Sequence, residues 1–385
     1  MNIKSLLLGS AAALVAVSGA RAADAVVIAE PEPMEYVRVC DVYGSGFYYI
    51  PGTETCLSID GYFRFDLGFG ENTGRDIDAN GSQGPYNDGD TYKTRFRAAL
   101  RWDARSETEY GTLQGYAHVN FDYDNGYITV PTSRGLTGVD NSGTNVNINH
   151  AWIDLAGFRV GKSDSYFSTI TGYSSGVSND GFLVSYGPFD TQFISYTFTG
   201  GNGFTATIAL ENGAGFGDTT TTGWGAIDDY VPHVVGGFSW TQGWGGLSAV
   251  AAYDANREQG AFKARLDVNV TDALSLFVMG GYSTNEAGNA YATWNGQWMI
   301  YGGGAWKFNE KATGNFEIAY SDWEDFHVVA NVDYELVPDL HIIPEIVYSD
   351  NFGNGAYPTF SPGTPNGGVR PSAAVGGFLR IQRNF

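Results

Sequence analysis

Beyond its first two dozen residues, this 385-residue chain has no run apolar enough to cross a bilayer as a helix, which takes about 20 apolar residues. Charge is also scarce. Only 16% of residues are charged, whereas 15% are aromatic and 53 are glycine. That balance argues against a helical domain and suits short strands joined by Gly-rich turns. Positive charge is scarcest of all: 21 Lys and Arg stand against 42 Asp and Glu, a net −21, so no nucleic-acid partner is expected. Five histidines, at positions 118, 150, 233, 327 and 341, are scattered and supply no metal-binding pair. No catalytic residue, cofactor or metal is therefore assigned, and no serine is expected to work in a nucleophile elbow.

What is present begins with an export signal. Met1 to Lys4 form a short charged start, Leu6 to Val17 an apolar run, and Ala20-Arg21-Ala22 a small-x-small cleavage site, giving a signal peptide over 1–22. The apolar run is too short to span a bilayer, so the exported product is either soluble or a barrel. Two cysteines, Cys40 and Cys56, follow in a segment assigned to 23–58 on the periplasmic side. An oxidising compartment favours a disulfide between them, and no histidine lies nearby in sequence to complete a metal site. Before them, Glu30-Pro31-Glu32-Pro33 reads as an extended lead-in.

Alternation decides for the barrel, because a strand between lipid and water has a period of two. In Tyr92 to Trp102, one face carries Tyr92, Thr94, Phe96, Ala98, Leu100 and Trp102; the other carries Lys93, Arg95, Arg97, Ala99 and Arg101. Thr112 to Tyr123 sets Leu113, Ala117, Val119 and Phe121 against Gln114, His118, Asn120 and Asp122. Phe262 to Val270 and Phe326 to Leu336 repeat the split. In a soluble sandwich the apolar face would turn inward instead.

Strands of about 9 to 11 residues are expected to begin near Ile59, Tyr92, Thr112, Val146, Phe158, Phe182, Phe204 and Val234, then Leu247, Ala261, Leu274, Trp298, Ala312, Phe326, Leu340 and Ala374. That count predicts an all-β transmembrane antiparallel barrel of about sixteen strands over 59–385. Connections tend to alternate between long and short, as external loops and periplasmic turns do. Two connections expected to be long, near Arg257 and Asp322, are short, and nothing in the sequence accounts for it. Aromatic residues near strand ends, Trp152, Trp240 and Trp306 among them, suit interfacial girdles or subunit packing.

Several segments resemble one family. Glu35-Tyr36-Val37-Arg38-Val39-Cys40-Asp41, Tyr49-Ile50-Pro51-Gly52-Thr53-Glu54-Thr55-Cys56-Leu57 and Arg380-Ile381-Gln382-Arg383-Asn384-Phe385 are similar to alphaproteobacterial general porins of the rhizobial and brucella type, as is essentially the whole chain. The resemblance implies a homotrimer in outer-membrane lipid and lipopolysaccharide, passive diffusion of small hydrophilic solutes and ions, and a third loop folded into the lumen. The matching segment is Lys162 to Gly181, with an extension to Asp190 left open.

Inward-facing Arg64, Lys93, Arg95, Arg97 and Arg101 form a basic ladder, and Asp164 and Asp180 are the acids this loop offers opposite it. Opposed charges would order water across a neck and favour polar solutes. The competing reading has the arginines neutralising Asp60, Asp66 and Asp103 instead. Asp76-Ile77-Asp78-Ala79-Asn80-Gly81 matches half a calcium loop but has Asn87 where the closing Glu is needed, so it reads as a solvated acidic turn. Calcium bridging to lipopolysaccharide stays open. The second functional class kept in view is a substrate-specific sugar or anion channel, whose lumen would carry an aromatic track or a denser set of lysines.

Overall fold

The computed structural model describes residues 38–70, 92–125, 127–132, 135–140, 142–181, 183–213, 227–285, 289–350 and 373–385. The export signal and the acidic turn at Asp76 lie outside the described residues.

Sixteen antiparallel strands form the wall: β1 Cys56–Gly70, β2 Tyr92–Thr108, β3 Gly111–Asn125, β4 Gly143–Leu155, β5 Phe158–Ser163, β6 Thr191–Gly201, β7 Phe204–Glu211 and β8 His233–Gln242. They continue as β9 Gly245–Asp254, β10 Gln259–Asn269, β11 Leu274–Ser283, β12 Trp298–Asn309, β13 Ala312–Ser321, β14 Phe326–Val337, β15 Leu340–Asp350 and β16 Ala373–Asn384. Each pairs with the next in sequence, and β16 returns to β1 in a register running from Gly376↔Gly70 to Asn384↔Tyr62. Closure leaves the wall without a sheet edge, which hydrocarbon demands because it cannot hydrogen-bond a free strand. Beyond the last strand, the Phe385 and Gly61 backbones exchange both N–H···O bonds at 3.1 Å, and the Phe385 ring stacks on Phe63 at 5.4 Å.

The faces are inverted relative to a soluble protein. Phe96, Phe121, Ile194, Ile208, Phe262, Ile300 and Ile346 are exposed, while their polar neighbours such as Asp122, Ser195, Lys263 and Glu345 point inward and are buried. The cationic face read from Tyr92 to Trp102 is an inner face, with Arg97 opposite Arg64 and Arg95 opposite Asp66 on β1.

All strand starts but one fall within three residues of the expected position. The exception is the sixth. It begins at Thr191 and not near Phe182, and the third loop therefore runs on to Asp190. Leu183, Val184, Ser185 and Tyr186 alternate like a wall strand, but Val184 and Tyr186 are fully buried against the inner wall. Pro188, which has no N–H to give a ladder, and Asp190, with φ +56°, separate this segment from β6. The loop after β3 also carries its own hairpin, Tyr127–Thr132 paired with Gly135–Asp140.

The two short connections now have a physical explanation. Residues 289–297, between β11 and β12, fold inward, burying Ala290, Tyr291, Ala292 and Trp294. The Ala290 N–H donates to Asp254 (2.8 Å), beside one short turn, and the Gln297 N–H donates to Asp322 (2.9 Å), in the other. Asn295 reaches Asp325. Longer loops at either turn would occupy the space this segment fills.

At the end of the barrel that carries the β2–β3 turn, opposite the turns at Arg257 and Asp322, Cys40 and Cys56 form a disulfide with Cα atoms 6.0 Å apart. Tyr43 and Phe47 pack beside it, and the Arg105 guanidinium lies over both rings.

Candidate functional site

The third loop begins with a single helical turn, α1 (Tyr166–Thr169), whose N-cap Ser165 accepts from the Phe167 N–H. From there the loop runs along the inner wall and is held by side chains that project inward from the strands. On β7, Glu211 accepts from the Ser165 hydroxyl (2.7 Å), the Tyr166 N–H (2.8 Å) and the Tyr291 hydroxyl (3.0 Å), so it ties both inward segments together. On β13, Glu317 takes the Ser174 hydroxyl and the Gly181 N–H and pairs with His327 at 2.8 Å. On β15, Glu345 accepts the N–H groups of Ser178 and Asn179 together with the Asn179 and Asn331 amides.

Cations hold the loop's carbonyls. Lys263 donates to the Tyr186 carbonyl (2.6 Å), and Arg265 donates to those of Tyr173 and Ser174. Between these anchors lies an apolar patch in which Phe167, Val184 and Tyr186 pack on Val235, Val250, Met279 and Tyr301. Half of the circumference, from β7 to β15, is thus covered.

The other half carries the ladder. Arg64, Lys93, Arg95, Arg97 and Arg101 stand on β1 and β2, eight strands around the ring from β9 and β10. The four arginines meet carboxylates and an amide of adjoining strands. Arg97 forks onto Asp122 at 2.7 and 2.9 Å, Arg95 meets Asp124 at 2.6 Å, Arg101 meets Asp60, and Arg64 donates to Gln382 at 2.8 Å. Asp66 is taken by Arg380, and Asp103 by Arg105. Of the three carboxylates in the competing sequence reading, only Asp60 meets a ladder arginine; Arg95 and Arg97 pair instead with Asp124 and Asp122 on β3.

The expected loop acids are bound within their own loop. Asp180 accepts from the Tyr186 hydroxyl, and Asp164 accepts from the Tyr173 hydroxyl (2.5 Å) and lies 3.5 Å from His150 on β4. Burial would raise the Asp164 carboxyl, but the hydrogen bonds from His150 and Tyr173 outweigh it and hold the group below the usual carboxylate range. A third loop acid, Asp190, pairs with Lys162.

Sequence reasoning put the cations of β2 on one strand face, as the register has them, and missed the anchors. Glu211, Glu317, Glu345 and Lys263 sit at inward positions that alternation marks, but their partners are loop backbone groups, which no side-chain pattern reveals. Missed, too, was Gly172-Tyr173-Ser174-Ser175-Gly176, which has the spacing of a nucleophile elbow. Here it lies in the loop and not in a strand-to-helix turn. Its Ser174 is fully buried and donates to Glu317, so a carboxylate stands between the hydroxyl and His327. Trp152, placed among possible girdle residues, turns inward and stacks on Tyr116 at 4.2 Å.

Comparison with known proteins agrees with this architecture. Residues 24–366 match the family described as the porin subfamily. Porin Omp2a of Brucella melitensis is 45% identical over 393 aligned residues, and Porin Omp2b of Brucella neotomae is 46% identical over 390; both alignments cover the whole of both chains. Among solved structures, the outer membrane channel DcaP of Acinetobacter baumannii superposes with a TM-score of 0.64 at 15% identity, covering 88% of this chain and 99% of its own. OprB of Pseudomonas putida gives 0.55 at 12% identity, covering 86% and 94%. These two structures share the fold. With relatives matched from end to end, the chain belongs to the porin subfamily, as a multi-pass β-barrel channel of the bacterial outer membrane.

Proposed function

We propose that this channel is a general diffusion porin whose neck runs between the basic ladder of β1 and β2 and the third loop, lined by Arg64, Lys93, Arg95, Arg97 and Arg101 with Asp164 and Asp180 on the loop side. Small hydrophilic solutes and ions pass through it, it catalyses no reaction, and it works as a homotrimer in lipid and lipopolysaccharide. The observation that supports the neck most directly is the division of the lumen: a loop docked on β7 to β15 narrows the channel toward the wall that bears the cations. Ordered charge of both signs along that wall favours water and polar solutes over apolar ones. Planar-bilayer recording in a salt gradient tests the proposal. Stepwise ohmic conductance with a reversal potential that responds to Arg95 and Arg97 is expected, whereas a channel silent toward salt would refute it.

A further inference from the structure

Beside α1, toward the β4–β5 and β6–β7 turns, a bay of about 420 Å³ opens between the helix and β4 to β8. That volume is within the range of small-molecule sites. Its floor is a grid of hydroxyls set by strand register. Thr199 stands opposite Thr205, and Thr197 opposite Thr207; on the next strand Ser239 stands opposite Thr205. The hydroxyls couple in pairs, Thr197 with Thr207 at 2.9 Å and Thr205 with Ser239 at 2.7 Å. A hydroxyl has one donor and two acceptor sites, so each coupled pair keeps a proton and several lone pairs to offer a solute.

One wall of the bay adds a fork of mixed sign. Asp154 and Arg159 pair at 3.0 Å, and the Arg159 guanidinium lies 4.6 Å over the Trp152 ring, which fixes its plane. Tyr166, Thr169 and Ile170 at the helix, with Gly157 and Phe238 on the wall, complete the lining, so polar groups outnumber the two apolar side chains.

Charge decides the ligand class. The bay's one carboxylate and one guanidinium cancel, so it carries no net charge to hold an ion. An apolar solute would displace water from the proton and lone pairs that each coupled pair still offers and give nothing in return. What fits is a neutral molecule that carries donors and acceptors at close spacing over its whole surface, namely a polyol or a small sugar. Resting on the porin reading, we propose that this bay is a binding subsite for neutral sugars, which a permeating molecule meets beside the neck. The channel would then hold sugars transiently while leaving salt flux to the ladder.

Threonine is also a good strand former, so a purely architectural role must be told apart. The test is single-channel recording of the full-length protein in fixed salt with rising glucose, set against a polyethylene glycol of matched hydrodynamic size. Glucose is expected to lower conductance along a saturating curve, while the polymer lowers it only in proportion to bulk viscosity. In T197V/T205V/T207V, conductance in salt alone should match the parent, and the half-saturating glucose concentration should rise about tenfold from the lost hydrogen bonds. The serine counterpart, T197S/T205S/T207S, should restore it. A parent curve that follows the polymer, or a valine variant with unchanged half-saturation, would overturn the subsite and leave the porin reading standing. Loss of salt conductance in the parent would overturn both.

Discussion

Replacing Arg95 and Arg97 with serine tests the electrostatics of the neck most directly. Each arginine now sits against a carboxylate, Asp124 or Asp122, and the Asp122 side chain is only 7% exposed. The double variant therefore converts two neutral pairs into two bare anions and removes two long side chains. An ion passing about 7 Å from each site feels about 0.6 kcal/mol per charge in water, roughly one RT. With the Debye length at about 30 Å in 0.01 M salt, the two together give about 0.9 kcal/mol, or roughly a fivefold gain in local cation occupancy. In 1 M salt, with a Debye length of about 3 Å, the same sum falls to about 0.1 kcal/mol and the gain to about 1.2-fold. Reversal potentials measured across a gradient at several mean concentrations should show this convergence, with conductance raised by the wider neck. Phe96, 47% exposed on the lipid face of the same strand, is the control: Phe96→Ser should weaken insertion or stability and leave selectivity alone. If R95S/R97S keeps the parent's reversal potential at low salt while Phe96→Ser shifts it, the inner and outer faces are reversed and the constriction reasoning fails.

Glu345→Ala leaves the N–H groups of Ser178 and Asn179 without their acceptor, at a cost of about 1–3 kcal/mol for each stranded group; current noise and protease cleavage within 175–181 should rise, while Glu345→Gln, which keeps a carbonyl acceptor, should show less of both. The disulfide closes a loop worth about 3 kcal/mol of chain entropy, so never-reduced protein should titrate no free thiol, and C40S/C56S should unfold at lower denaturant. Asp164 has a depressed carboxyl, so its grip on the loop root is complete above the ordinary aspartate value of 3.8 and is lost as pH falls through the lower folded value. Channel noise should rise in that acid window, and Asp164→Asn should show the noise at neutral pH as well. Unheated protein should run on gels as a heat-modifiable trimer, and a monomer by native mass spectrometry in mild detergent would sink that assembly.

The wall of this protein is legible in its sequence because lipid and water enforce a strict two-residue period, and fifteen strands could be placed from it. The same rule misled at the sixth strand. A segment lying flat on the inner wall, such as Leu183 to Tyr186, also has one packed face and one polar face, so periodicity alone cannot tell wall from lining. Gly187-Pro188 was the available signal against a strand there. The ladder of Arg95, Arg97 and Arg101 could be read because all three lie on one strand. Its carboxylate partners sit across strand register, 25 to 41 residues away, and alternation fixes a face without fixing a neighbour. The inward fold of 289–297 was written in Ala290-Tyr291-Ala292 and Trp294, an apolar cluster in a long connection that has no reason to stay in water.

The docked loop has a consequence for how the chain tolerates change. On β9 to β12, inward residues such as Val250, Lys263, Met279 and Tyr301 touch no permeating solute; they are buried beneath the loop as in the core of a water-soluble domain. Inward side chains on β2 such as Arg95 and Arg101 lie outside the loop's cover and stay 22% and 37% exposed. One geometric class of position, the inward face of a barrel strand, is thus split into two mutational classes. Substitutions beneath the loop should register as poor folding and low abundance, whereas those on the opposite arc should yield abundant protein with altered permeability. A library scanned separately for surface expression and for solute uptake would sort into these two arcs, and the line between them would trace the edge of the loop.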